Sequence, residues 1–154
     1  MKVGAPVLTV VTVCWNALED LKLTTASVRS QTARVAHVVV DGGSSDGTPQ
    51  WLQEHKDLFA VAVSGRDKGI YDAMNKAVAL CPEAEWLIFL NAGDAFADQD
   101  TARRLADQLA RDDVDFIFGG VEVRSPDPAQ PVKRYPPRLH ARTEMPGCHQ
   151  SCVV

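Results

Sequence analysis

The sequence predicts an α/β fold, a mostly parallel sheet flanked by helices, and three observations carry that reading. Short apolar, β-branched runs alternate with amphipathic helical stretches in a βαβαβαβ order. The connections between them are short, as parallel crossovers require when a helix makes the return. The stretch from Ser64 to Asp94 compresses the pattern into strand end, loop, helix, strand and an acidic tip.

Taken in order, Val7 to Cys14 (VLTVVTVC) is a β-branched apolar run and predicts a buried first strand, with Asn16 just past its end. Leu18, Leu21, Thr25 and Val28 then space a helix to about Gln31, with Glu19 and Asp20 suiting its N-terminal dipole. Ala36 to Val40 predicts strand two, which gives way to Asp41-Gly42-Gly43-Ser44-Ser45-Asp46-Gly47-Thr48. Thr48 reads as the cap of the next helix and Pro49 as part of its first turn. Phe59 to Val63 predicts strand three and Ser64 to Lys68 a polar loop.

After Gly69, residues Ile70, Ala73, Met74, Ala77, Val78 and Cys81 recur on one helical face, and Pro82 stops the helix. Asp72 and Lys76 form an i,i+4 pair with the acid nearer the N-terminus. Trp86 to Leu90 predicts a strand buried on both faces, ending in Asn91-Ala92-Gly93-Asp94. Ala102, Leu105, Ala106, Leu109 and Ala110 mark another helix, capped by Asp98 or Asp100. Asp115 to Val123 predicts strand five, with Gly119-Gly120 as a bend. Proline-rich loop follows Arg124, and a last strand starts at Cys152, so the chain reads as cut short.

Composition narrows the function. The formal charge is -4 with scattered basic residues, whereas a nucleic-acid surface needs a concentrated basic face. No apolar run approaches the ~20 residues of a membrane span, and MKVGAP lacks a signal-peptide core. The expected location is the cytoplasm, including the inner face of the membrane. Cys14 and Cys81 read as small core residues, and the CHQSC stretch around Cys148 and Cys152 lacks zinc spacing. No nucleophile elbow, G-x-G-x-x-G or Walker loop is present.

The chemistry-bearing residues gather at predicted strand ends, where open parallel sheets bind ligands. Asp41 is placed to accept hydrogen bonds from a nucleobase or ribose, although its loop is equally suited to a turn and helix cap. Asp67 stands between Arg66 and Lys68, two cations able to meet a diphosphate, beside a helix start with free N–H groups. Alone, that loop would read as solvated charge. Asp94, an acidic tip facing two other acidic loops, suggests an oxygen-liganded divalent cation, against the alternative of a simple turn. Tyr71, Asp72 and Asn75 are positioned to line the cleft. His149 and Gln150 open the final apolar run.

With these blocks assembled, the chain resembles family 2 glycosyltransferases of the nucleotide-sugar-binding GT-A fold, and within them the bacterial O-antigen and colanic acid type. The resemblance rests on TVVTVCWN, Ser30-Gln31-Thr32, VVVDGGSSDGT, RDKGIYDAMNKA, EWLIFLNAGD and CHQ, and it spans nearly the whole chain. It implies one domain over residues 1–154, truncated at its C-terminus. Residues 1–124 would bind the nucleotide sugar and 125–154 would begin the acceptor side. Thr12, Cys14 and Asn16 would meet the nucleotide, Asp41 would hold the uracil or guanine edge, and Asp67 with Lys68 would close the pocket. Asn91 to Asp94 would be the metal motif, Asp94 contacting Mg²⁺ or Mn²⁺, and His149 and Gln150 would face the acceptor. The implied reaction is metal-dependent inverting transfer from a UDP- or GDP-sugar to a lipid-linked or growing glycan.

Three departures from the family pattern stand out. Asn91 replaces the usual first acid of the metal motif, and Gly65 stands where relatives often carry Glu. The general base of inverting members lies beyond the His-Gln block, hence beyond Val154. Two other classes stand beside this one. A non-catalytic nucleotide-sugar-binding or interaction module would need no base. A nucleotidyltransferase would need a glycine-rich basic loop near strand one, which TVCWNALED lacks.

Overall fold

The computed structural model describes residues 8–110, 117–125, 127, 129–135 and 152–153. Leu8–Cys14 (β1) is buried at all seven positions, because its β-branched run is covered on both faces. It pairs in parallel with Val35–Asp41 (β2) and with Leu87–Phe89 (β4), and β2 pairs in parallel with Val61–Ser64 (β3). Cys152–Val153 (β8) runs antiparallel between β4 and Ile117–Phe118 (β5), giving the order β3-β2-β1-β4-β8-β5. The mostly parallel α/β prediction therefore holds, and a strand does begin at Cys152.

Alternation along β1 sorts the core onto two sides. Val11 and Val13 join Val38, Val40 and the buried Ala73, Met74 and Ala77 of helix α3 (Ile70–Leu80). Leu8 and Val10 pack with Val28 of α1 (Leu18–Arg29) and with Ala102 and Leu109 of α4 (Thr101–Leu109). Cys14, Leu21, Val39 and Leu52 of α2 (Thr48–Glu54) form a third group. Each fully buried Val or Leu contributes roughly 1.5–3 kcal/mol, and β1, buried on both sides, joins all three groups.

Several expectations need correction. Ile70 and Val78 are exposed, because only the centre of the α3 face reaches the sheet. Thr48 lies inside α2, whose N-cap is Gly47 at φ 94°; Asp46 takes the capping work described below. Strand five is broken at Gly119-Gly120: β5 stays in the main sheet, whereas Val121–Val123 (β6) leaves it. β6 pairs antiparallel with Lys133–Tyr135 (β7), a strand inside what reads as proline-rich loop. Among the described residues no helix is long and apolar enough to cross a membrane.

Register makes one edge of the sheet flush. Cys14 pairs with Asp41, Asp41 with Ser64, and beyond β4 the Leu90 and Ala92 amides still donate to Val11 and Val13 of β1. The chain moves β1, β2, β3 in one direction and then crosses to β4 on the other side of β1. The switch point thus lies between β1 and β4, with Asn16 and Asn91–Asp94 at its mouth.

Candidate functional site

The loops after β1 and β2 are one unit. Asn16 adopts a positive φ of 49°, a conformation that asparagine tolerates better than most residues. Its amide donates to Ser44 Oγ (2.7 Å), and its Oδ1 accepts from the Ser45 amide (2.8 Å). Asp46 then joins two helix starts, accepting from the Leu18 amide of α1 (3.0 Å) and the Thr48 amide of α2 (3.1 Å). Its carboxyl is held below the usual range, chiefly by the Thr48 hydroxyl. This junction residue was missed in the sequence, though an Asp two residues before a helix-starting Thr is a recognisable turn pattern.

Asp41 sits at the predicted edge, but its carboxylate is fully buried and already engaged. It accepts from the Ser44 amide (3.1 Å), the Ser44 hydroxyl and the Ser64 hydroxyl (2.5 Å). A nucleobase would reach it only by displacing one of these serines. Cys14 beside it is pushed up to about 12, first by burial and then by the negative field of Asp41 and Asp46, so its thiol stays protonated at neutral pH. Thr12 is completely buried: its hydroxyl donates to the Leu90 carbonyl (2.8 Å) and meets His37 Nε2 (2.9 Å). Its side chain therefore serves the scaffold and not the cleft wall.

Asp67 approaches the β2 loop so closely that a Cβ on Gly42 would lie 2.7 Å from its Oδ2. Its Oδ1 accepts from the Gly69 amide (2.8 Å), and the Lys68 amide donates to Asp72 (3.0 Å). Of the helix start expected to offer free N–H groups, the Gly69 amide is thus already used, as is the Lys68 amide before it. The predicted Asp72–Lys76 pair forms at 3.0 Å, and Lys76 also donates to the Arg66 carbonyl (2.8 Å). Lys68 itself is exposed beside half-buried Asp67.

Asn91–Asp94 forms a tight turn after β4, and the cleft it lines includes none of Asn16, Asp41, Asp67 or Lys68. Gly93 takes φ 95°, the Asp94 amide donates to the Asn91 carbonyl (2.9 Å), and Thr24 of α1 touches three backbone groups of the turn. Half-buried Asp94 lines a cleft of about 550 Å³ between this turn, the start of α4 and the β6 strand. β6 adds Glu122 and Arg124 to that wall, two residues missed in the sequence. The Glu122 carboxyl is held low by Arg134 first and Arg124 second. His149, Gln150 and Glu144 lie outside the described residues.

Among the described residues no group of three His, Cys, Asp or Glu side chains is placed to hold a metal. A hard cation can take one protein carboxylate and complete its shell with phosphate oxygens and water; both Asp94 and the arginine-paired Glu122 line the cleft.

The glycosyl transferase family 2 model matches residues 9–150. An uncharacterized glycosyltransferase of Mycobacterium tuberculosis is 36% identical over 109 residues, 70% of this chain and 41% of that protein. A PGL/p-HBAD biosynthesis glycosyltransferase of Mycobacterium bovis is 32% identical over 131 residues, 79% of this chain and 49% of the relative. The chain thus spans about half the length, or less, of these relatives. The mannosyltransferase PcManGT of Pyrobaculum calidifontis, in complex with GDP-Man and Mn²⁺, superposes with a TM-score of 0.62 at 25% identity, over 76% of this chain and 36% of that one. S. aureus TarS in complex with UDP-GlcNAc shares the fold alone, with a TM-score of 0.58 at 20% identity over 65% of this chain and 30% of that one.

Proposed function

Because the chain belongs to glycosyl transferase family 2, we propose that it forms the donor site of a metal-dependent, inverting glycosyltransferase. The observation that carries this reading is Asp94, half-buried on the cleft wall beside the switch point of a parallel sheet. The donor is a UDP- or GDP-sugar, and the mannosyltransferase that binds GDP-Man and Mn²⁺ supports that class. The residues divide the work. The Asn16–Ser44–Ser45 knot and Asp67 shape the nucleotide side, Asp41 holding that knot together. Arg66 and Lys68 offer charge to the diphosphate.

Asp94, with Asn91 beside it, would hold Mg²⁺ or Mn²⁺. When bound, such a cation supplies Lewis-acid neutralisation of the leaving diphosphate. Inversion also needs a base on the acceptor hydroxyl, with a pKa near the working pH. Glu122 is unsuited, because its arginine partners hold its carboxyl low. We assign the base to sequence beyond Val154 and the acceptor side to His149 and Gln150. For the acceptor we propose a lipid-linked or growing glycan of the surface-polysaccharide type. The motif blocks support this, while the mycobacterial relatives do not favour the O-antigen or colanic acid branch.

A thermal-shift panel of UDP, GDP, CDP and dTDP, with and without Mn²⁺, tests the reading. A nucleotide at about a hundred times its Kd adds roughly 2.7 kcal/mol. The expected result is stabilisation by UDP or GDP that depends on metal and is lost in Asp94→Ala. Stabilisation by none of the four would overturn the donor site and leave an interaction module as the better description.

A further inference from the structure

We propose that Thr24, in the middle of α1, is a positioning residue that sets the Asn91–Asp94 turn and through it aims Asp94 into the cleft. The inference rests on the donor-site reading above and deepens it. One fully buried hydroxyl meets three backbone groups of a four-residue turn. It donates to the Asp94 carbonyl (2.8 Å), with the Asn91 carbonyl at 3.2 Å sharing the same proton, and it accepts from the Gly93 amide (3.0 Å). A buried helical threonine ordinarily returns its proton to a carbonyl of its own preceding turn. Here every bond instead crosses to the strand tip.

Thr24 opens a polar series that continues through Ser27 of α1 to Gln31, two residues past the helix end. Ser27 Oγ accepts from the Phe96 amide (2.9 Å). Gln31 donates to the Asp98 carbonyl (2.9 Å) and accepts from the Ala102 amide at the start of α4 (2.9 Å). A spacing of three keeps Thr24 and Ser27 on one face of α1, and Gln31 just past its end carries the contacts on to α4. Burial alone does not explain the pattern. Thr25, the next residue, is also buried, yet its hydroxyl has no hydrogen-bond partner among the described residues. Fixing the carbonyl of Asp94 and the amide before it fixes the direction in which its side chain leaves the backbone, the preorganisation a ligating carboxylate requires.

The test uses the whole chain as Thr24→Val, Thr24→Ser, Thr25→Val and Asp94→Ala. Two readouts are taken: amide hydrogen exchange over residues 91–95, and UDP and GDP affinity with and without Mn²⁺. Thr24→Val should speed exchange at Gly93 and weaken metal-supported affinity by about tenfold each, roughly the worth of one ordinary hydrogen bond, leaving metal-free affinity unchanged. Serine should restore both, and Thr25→Val should move neither. Where valine does not fold, Thr24→Cys repeats the comparison. Wild-type exchange in Thr24→Val would overturn the proposal. So would fast exchange with intact metal dependence, provided Asp94→Ala loses that dependence. If Asp94→Ala keeps it, the metal role fails, and the aiming of Asp94 falls with it.

Discussion

Asp41 ends β2 and Asp94 lies in the turn after β4, the two strands that flank β1, and the structure uses the two acids in opposite ways. Asp41 is sealed, its oxygens taken by Ser44 and Ser64. At the other tip the backbone is tied down by Thr24, and Asp94 stands on the wall of an open cleft. An acid at a strand tip is therefore no single signal. Where the neighbouring hydroxyls point at the carboxylate, the acid organises a loop; where they point at the backbone, they set the turn that carries the acid. In both cases the deciding partners are Ser or Thr residues that lie on other elements or further along the loop.

The sharpest way to break this contrast is to truncate both acids. Asp41→Ala should cost about 3–5 kcal/mol in urea unfolding, since it strands three donors while removing a carboxylate whose burial was itself costly. Asp94→Ala should cost about 1 kcal/mol at most, in the range of ordinary changes near the surface, while abolishing metal-supported nucleotide binding. Equal losses of stability would show that the two tips are not divided in this way.

A second test reaches the Asp94 tip from below. Thr12 gives its only proton to the Leu90 carbonyl, so it can only accept from His37 Nε2; the ring is then the Nε2–H tautomer, and Nδ1 has no partner among the described residues. Burial lowers the pKa of His37 to about 4, below the value of 6.5 expected when unfolded. The unfolded chain therefore binds the extra proton first. The stability that a neutral His37 contributes is complete above pH 6.5 and is lost as the pH falls toward 4, a change of about 3 kcal/mol. Below 4 the native state protonates too, and this slope ends. Urea unfolding at stepped pH should show the loss in the wild type, and His37→Gln should remove that part of it.

What the sequence disclosed follows from what periodicity can carry. The β-branched runs of β1 and β2, the α3 face with its Asp72–Lys76 pair and the acidic tip after β4 were legible because each is local. The hydrogen bonds of Thr24 to a turn some seventy residues away were not, because a buried Thr at that spacing reads as part of an amphipathic face. The inward turn of Asp41 was hidden for a related reason. DGGSSDGT supplies both a ligand-ready acid and the serine that closes it, and the second serine comes from β3. The β6–β7 hairpin was obscured by its prolines, and its Glu122 and Arg124 with it. Thr12 is placed at the nucleotide by the family resemblance alone, whereas its buried hydroxyl bonds Leu90 and His37 within the scaffold.

The smallest effects should come from the glycines, and they separate the two loops most finely. Gly42 is required by approach: an added Cβ would meet Asp67 Oδ2 at 2.7 Å. That oxygen ends a short side chain that can swing away, at the expense of the Asp67 bond to the Gly69 amide, so Gly42→Ala should cost about 1 kcal/mol. Gly93 is required by conformation. At φ 95° its added Cβ would meet nothing nearer than Asp20 at 3.6 Å, and the cost is the left-handed backbone, about 1–2 kcal/mol. Stability alone barely distinguishes the two, but binding does. Gly42→Ala should weaken UDP or GDP equally with and without Mn²⁺, because it disturbs the nucleotide side. Gly93→Ala should weaken only the Mn²⁺-supported component, because the relaxed turn no longer aims Asp94. If both variants lose the same component, the loops act as one site, and the division between a nucleotide wall and a metal wall must be abandoned.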